Sequence, residues 1–245
     1  MSILPIDTGR YGTKEMLDIF REQKKIDYQL EIEAAAVLSQ NEIGLISASI
    51  ARDIAKVSKS GKITAKRIKQ LEAKSDHDTA ALVEALAEKC KKESSPWIHY
   101  GLTSNDLVDT SNSMQMRDAI KIIQPKVSKL SLLLSKNAVK YSNVPAVGRT
   151  HGQHASIISF GLKFANWASE MSTHLERLDE VKKRVLICKT LGVVGTGSLM
   201  GKMHYESKNV WLRNLHFTLQ RSPRRSFQGK DMPNTYFRWH YLVPL

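Results

Sequence analysis

The chain has 245 residues, 25% charged and 42% apolar, an ordinary composition for a globular protein with a sizeable core. No stretch approaches the roughly 20 uninterrupted apolar residues of a membrane span, and MSILPIDTGRYG lacks the basic-then-apolar order of a secretory signal. The formal net charge of +13 raises the question of nucleic acid. Eight Lys/Arg against Glu206 and Asp231 put +6 of it after Gly201, and the rest is spread along helix faces, so neither a nucleic-acid nor a membrane partner is expected.

The first two hundred residues read as one helix after another. Between Thr13 and Gln40, Leu17, Phe20, Leu30, Ala34, Val37 and Leu38 share a face, with Thr13 and Glu15 at a helix start. Shorter helices are expected at about 42–56, 63–73 and 78–93, the last capped by Ser75 or Asp76. Ser94-Ser95-Pro96 breaks the pattern. Helix resumes from about Ser113 to Tyr141, where Pro125 predicts a kink or break. The strongest periodicity runs from Ala155 to Ile187, through Phe160, Phe164, Trp167, Met171, Leu175, Leu178 and Val185. Nothing alternates with period two over a useful length. The fold expected is all-α: an N-terminal helical domain over 1–111, then over 112–201 part of a long antiparallel helical bundle. Cys90 and Cys188 are expected to be reduced thiols of a cytoplasmic protein.

Residues 202–245 have no sustained period and are rich in Arg, His and aromatic residues. Codons for Lys202 to Asn209, read one nucleotide out of phase, can spell Asn-Ala-Leu-Arg-Ile-Gln-Glu, the start of an amphipathic helix. These residues are therefore expected to be an aberrant basic tail produced by a frameshift, on a truncated copy.

Three segments concentrate polar residues that no core needs: Ser75-Asp76-His77-Asp78, Trp97 to Asp106, and Gly148 to His154. Each has a bland reading. The first is an N-cap beside an exposed histidine. The second is a loop in which Thr103 or Ser104 caps a helix and Asp106 lies in the first turn. The third is a pair of packing histidines. A metal site would need His77, His99 and His151 or His154, but no HExxH, Cys pair or carboxylate-x-x-His accompanies them, and no metal is expected. Ser104 lacks the G-x-S-x-G elbow of a hydrolase. Gly192 to Lys202 misses the P-loop spacing and the third glycine of G-x-G-x-x-G, so it reads as a turn between helices.

In this order, SDHD (75–78), WIHYGLTSNDLVDT (97–110) and GRTHGQHA (148–155) resemble the fumarase/aspartase superfamily of β-eliminating lyases, and within it the adenylosuccinate lyase family. FGLKFANW (160–167), GVVGTG (192–197) and GRYGTKEM (9–16) agree, and the resemblance covers about residues 9–201. It implies release of fumarate from adenylosuccinate, giving AMP, and from succinyl-aminoimidazole-carboxamide ribotide in purine biosynthesis. It implies a homotetramer whose sites combine three subunits, and no metal or organic cofactor. An imidazole titrates near neutrality, at about 6.5, and can donate a proton and be recharged. By similarity His151 is the general acid that protonates the leaving amine. His77 orients it or stabilises charge on the substrate, and His99 shapes the pocket. Thr103 and Ser104 donate to a succinyl carboxylate, and Arg10 and Tyr11 meet the phosphate. Asp76 and Asp78 belong to the substrate site, Asp78 holding His77 or the nucleotide.

Two departures stand out. The proline of the family's HA-x-P-x-T-F-G is replaced by Ile157. The loop of S-S-x-M-P-x-K-x-N-P type, which supplies the catalytic base serine, has no counterpart; Asp231 to Asn234 echoes it without the serines. The 245 residues alone are therefore expected to be inactive or nearly so. The alternatives are a carboxymuconate cycloisomerase-like lyase and a non-catalytic helical interaction protein built from a lyase.

Overall fold

The computed structural model describes residues 11–189, 192–197, 199–200, 210–211 and 213–215. Chain order is α1 (Lys14–Phe20), α2 (Glu22–Glu42), α3 (Ala48–Ser58), α4 (Ala65–Ser75), α5 (Asp78–Ala87), a single 3-10 turn at Ser95–Trp97, α6 (Ser104–Lys140), β1 (Pro145–Thr150), β2 (Gln153–Ser159) and α7 (Phe160–Val185). The fold is all-α apart from this one hairpin among the described residues. By contacts the chain divides into two units, one of 1–24 with 113–186 and one of 25–112 with 187–245.

In the unit of 25–112 and 187–245, α2 is buried on nearly every side from Ile26 to Gln40. A helix with that much burial belongs at the centre of a core. The fully buried side chains of this unit include Ile32 on α2 and, from other segments, Ile54, Leu71, Leu82, Leu86 and Leu107. The short helices begin where side-chain caps allow. Ser47 and Thr64 accept from the N–H groups of Ile50 and Arg67, satisfying donors that the first helical turn leaves open. Arg67 donates to Glu88, tying α4 to the end of α5. Cys90 and Cys188 are not disulfide-bonded.

In the unit of 1–24 and 113–186, α6 and α7 run antiparallel. Ser113 Oγ donates to the Val185 carbonyl at 2.7 Å, Gln124 Nε2 donates to Asp179 at 3.2 Å, and Gly161 packs on Ala138 at the far end. Pro125 does not break the helix: α6 continues through it. A proline removes one hydrogen bond of the ladder, and the remaining turns of a 37-residue helix keep it continuous. The long helix read from Thr13 to Gln40 is broken once, at Arg21, whose ψ of 144° is extended. Thr13 caps α1 by accepting from the Met16 N–H, and α1 is joined to this unit by Gln115 Nε2 donating to the Ile19 carbonyl at 2.9 Å.

The hairpin is what the sequence reading missed. Helix α7 starts at Phe160 and not at Ala155, because Ser159 caps it there, accepting from Gly161 N–H. His151 and Gly152 form a two-residue turn with φ of +51° and +72°. Positive φ at both central positions marks the turn type whose twist matches antiparallel strands. Pairing runs Thr150 to Gln153 and Arg149 to His154, then shifts, so that Ala155 and Ser156 face Gly148 before Val147 pairs with Ile157. A bulge of this kind needs room: a Cβ on Gly148 would lie 3.0 Å from the Ser156 carbonyl oxygen.

Candidate active site

The Trp97–Asp106 loop is held from several directions inside its unit. Gln40 Nε2 donates to the Tyr100 carbonyl at 2.8 Å. Glu33, fully buried on α2, accepts the His99 N–H at 3.0 Å and stands 2.6 Å from His99 Nδ1. Trp97 and Tyr100 meet edge to face at 5.2 Å. His99 has φ of +63°, an uncommon conformation for a residue with a Cβ, so the tether to Glu33 holds a backbone that would otherwise relax.

Thr103 and Ser104 stand at the start of α6, where Asp106 accepts the Thr103 N–H at 3.0 Å. This is the reciprocal bond of a capping box. The same Asp106 oxygen accepts the Gly192 N–H at 3.0 Å, so one buried carboxylate joins the helix start to the glycine-rich segment. One turn further on, Thr110 Oγ1 accepts the Lys189 N–H at 3.1 Å and donates to its carbonyl. Burial pushes the neighbouring Asp109 carboxyl above the usual range; Lys189 partly offsets this, and Asp106 adds to it.

His77, Asp76 and Asp78 form the junction between α4 and α5 in the same unit. The cap of α5 is His77 itself, whose Nδ1 accepts from Ala80 N–H at 3.3 Å. The expected caps, Ser75 and Asp76, are displaced because Asp76 ends α4 in the left-handed region at φ +50°. Asp78 Oδ1 accepts from Thr79 N–H and Oγ1 and lies 3.6 Å from His77 Nδ1. His77 and Asp78 are more than half exposed, and their bonds are local. Replacing His77 with alanine removes the cap and is expected to cost about 1 kcal/mol. Thermal unfolding followed by circular dichroism, alongside His77→Asn, which retains a capping acceptor, separates this cost from any catalytic loss.

Tyr11 and His151 lie in the other unit, and Arg10 falls outside the described residues. Tyr11 is 59% exposed. His151 is exposed at the hairpin tip, held by turn geometry. His154 is a strand residue and not the start of a helix; its Nε2 lies 3.3 Å from Arg149 across the hairpin. Among the described residues no three His, Cys, Asp or Glu side chains gather as metal ligands, and no helix is long and apolar enough to cross a membrane.

A model of the family described as lyase matches residues 9–230. The chain belongs to this lyase family. It is 41% identical over 206 residues, 84% of its length, to the adenylosuccinate lyase of Methanocaldococcus jannaschii, and covers 44% of that protein. To the adenylosuccinate lyase of Methanothermobacter thermautotrophicus it is 39% identical, covering 82% of this chain and 45% of the relative. Among solved structures, the 3-carboxy-cis,cis-muconate lactonizing enzyme of Pseudomonas putida is similar with a TM-score of 0.81 and 27% identity, over 87% of this chain and 49% of that one. The chain thus spans about half the length of the relatives it matches.

The sequence reading passed over Glu33. Ile26, Leu30, Glu33, Val37 and Gln40 follow at steps of four, three, four and three, so a carboxylate and a carboxamide lie on the core stripe of α2. A buried carboxylate requires a hydrogen-bonding partner, and that demand was the available signal.

Proposed function

We propose that this lyase acts in the elimination of fumarate from adenylosuccinate, leaving AMP, and from succinyl-aminoimidazole-carboxamide ribotide. The observation that carries the reading is the 41% identity to an adenylosuccinate lyase across 84% of the chain. In the reaction a base takes the proton β to the leaving nitrogen. The electron pair is held as an aci-carboxylate, the carbon–nitrogen bond breaks, and an acid delivers a proton to the departing amine.

In this reading His151 is the acid, and a hairpin tip is a suitable place for it, since the imidazole is free to meet a ligand. His77 orients it or stabilises substrate charge. His99 shapes the pocket, Thr103 and Ser104 donate to a succinyl carboxylate, and Tyr11, with Arg10, meets the phosphate. Asp76 and Asp78 belong to the same subsite as His77. The site works in a cytoplasmic homo-oligomer, a tetramer by resemblance. Apolar side chains left exposed on α6 and α7, among them Leu132, Leu133 and Trp167, support association with further copies.

The base-bearing serine loop expected from the resemblance has no counterpart in the 245 residues, so the chain by itself is expected to bind the nucleotide without turning it over. Isothermal titration of the purified chain with adenylosuccinate, AMP and 3-carboxy-cis,cis-muconate tests this. Saturable binding of the two nucleotides and none of the muconate is the expected result. Binding of the muconate alone would favour a lactonizing reading, for which the solved structure is the supporting observation. Fumarate release at enzymatic rates would show that the base lies within these residues.

A further inference from the structure

We propose that Glu33 is a positioning residue for His99: its buried carboxylate keeps the ring proton on Nδ1 and so presents an unprotonated Nε2 as a hydrogen-bond acceptor to the nucleotide. This rests on the reading that His99 lines a nucleotide site.

The Glu33 side chain is fully buried, while that of His99 is 21% exposed. A carboxylate taken out of water is costly unless its oxygens accept hydrogen bonds. Here one oxygen accepts the His99 N–H at 3.0 Å and the other stands 2.6 Å from His99 Nδ1. An ionised carboxylate only accepts, so the imidazole nitrogen facing it must carry a proton. In the neutral ring the proton is then absent from Nε2, on the far edge. Two bonds from one carboxylate fix both the backbone at φ +63° and the rotation of the ring.

A purely structural tether would need less. Gln40 already holds the Tyr100 carbonyl and Asp106 the Thr103 N–H, so the loop is pinned immediately after His99 without its ring. The backbone N–H of any residue at position 99 would satisfy one Glu33 oxygen. The ring nitrogen adds a defined tautomer on a partly open side chain. That is the arrangement used where a histidine must offer one chosen nitrogen to a ligand. The ligand class follows: Nε2 would accept from a hydroxyl or N–H, which a ribonucleotide has on its sugar and base.

Nuclear magnetic resonance of the 245-residue chain labelled with 15N-histidine tests this through long-range proton–nitrogen correlations of the neutral rings. His99 is expected to show a protonated Nδ1 and a bare Nε2. In Glu33→Gln one terminal atom is an oxygen and the other an NH2. With the oxygen on the backbone N–H, the NH2 donates to Nδ1 and the His99 proton moves to Nε2. A wild-type ring that is mixed or protonated on Nε2 overturns the proposal, as does an unchanged Nδ1–H pattern in a folded Glu33→Gln. If the variant does not fold, the wild-type pattern decides by itself. Adenylosuccinate added to the wild-type chain should shift the His99 signals with the Nδ1 proton retained. An Nδ1-protonated ring that ignores adenylosuccinate leaves the tautomer assignment standing and overturns the nucleotide reading.

Discussion

Gly161→Ala is expected to lower the stability of the unit containing α6 and α7 by about 3 kcal/mol or more. On helix propensity alone the change would be favourable, by roughly 1 kcal/mol. Packing reverses the sign. A Cβ at position 161 would run into the Ala138 carbonyl oxygen and lie 2.9 Å from Ser142 N. Both are backbone atoms, one in the last turns of α6, and neither can rotate away as a side chain would. The same residue donates its N–H to the Tyr141 carbonyl at 3.0 Å, so separating the two segments also strains that bond. Urea denaturation followed by circular dichroism measures the loss. A variant as stable as the wild type would mean that α7 enters with more clearance than this geometry gives.

Asp106→Ala is expected to cost about 2–4 kcal/mol, because it strips two backbone N–H groups of their acceptor at once. Leaving a buried donor unpaired costs about 1–3 kcal/mol, and the groups concerned are Thr103 N and Gly192 N. Its neighbour Asn105 is exposed and serves as control, since surface changes away from such features stay within about 0.5 kcal/mol. The loss should be accompanied by greater proteolytic cleavage near Gly192, because the carboxylate joins that segment to the first turn of α6. Limited proteolysis with mass spectrometry reads the cleavage, and an unchanged pattern would count against the tether.

The helices were legible because three- and four-residue spacing of apolar side chains leaves little choice of local structure. Phe160 to Val185 is such a case, and its periodicity survives in the structure as α7. The five residues before it were misassigned for a physical reason. Ala155 to Ser159 carry no polar alternation, since β2 is exposed over most of its length and its pattern answers to no core. His151-Gly152 was a readable turn signal. Gly follows a residue type that tolerates positive φ, and the nearby histidines point to chemistry more readily than to backbone. Ser75 and Asp76 were plausible caps by residue type; the left-handed turn at Asp76 passed the role to His77. Within the proposed site, His99, Thr103 and Ser104 could be found from a contiguous motif. Glu33 could not, because its partner lies 66 positions away.

The hairpin places its histidine at the end of an arm. Six residues of β1, at about 3.3 Å each, put the tip roughly 20 Å from the base. A tilt of about 5° at the base would move the tip by roughly 1.7 Å, and in the proposed role of His151 about 1 Å of misplacement can cost on the order of 100-fold in rate. The accuracy of the imidazole is therefore decided at the opposite end of the strands. There Ser159 Oγ donates to the Ser142 carbonyl at 2.6 Å, and Tyr141, Phe160 and Phe164 gather in a cluster with centroids 5.4–5.7 Å apart. Those rings act as the bearing on which the arm is aimed. With His151 in its proposed role, a slack bearing is expected to show as lost catalytic precision before it shows as lost fold.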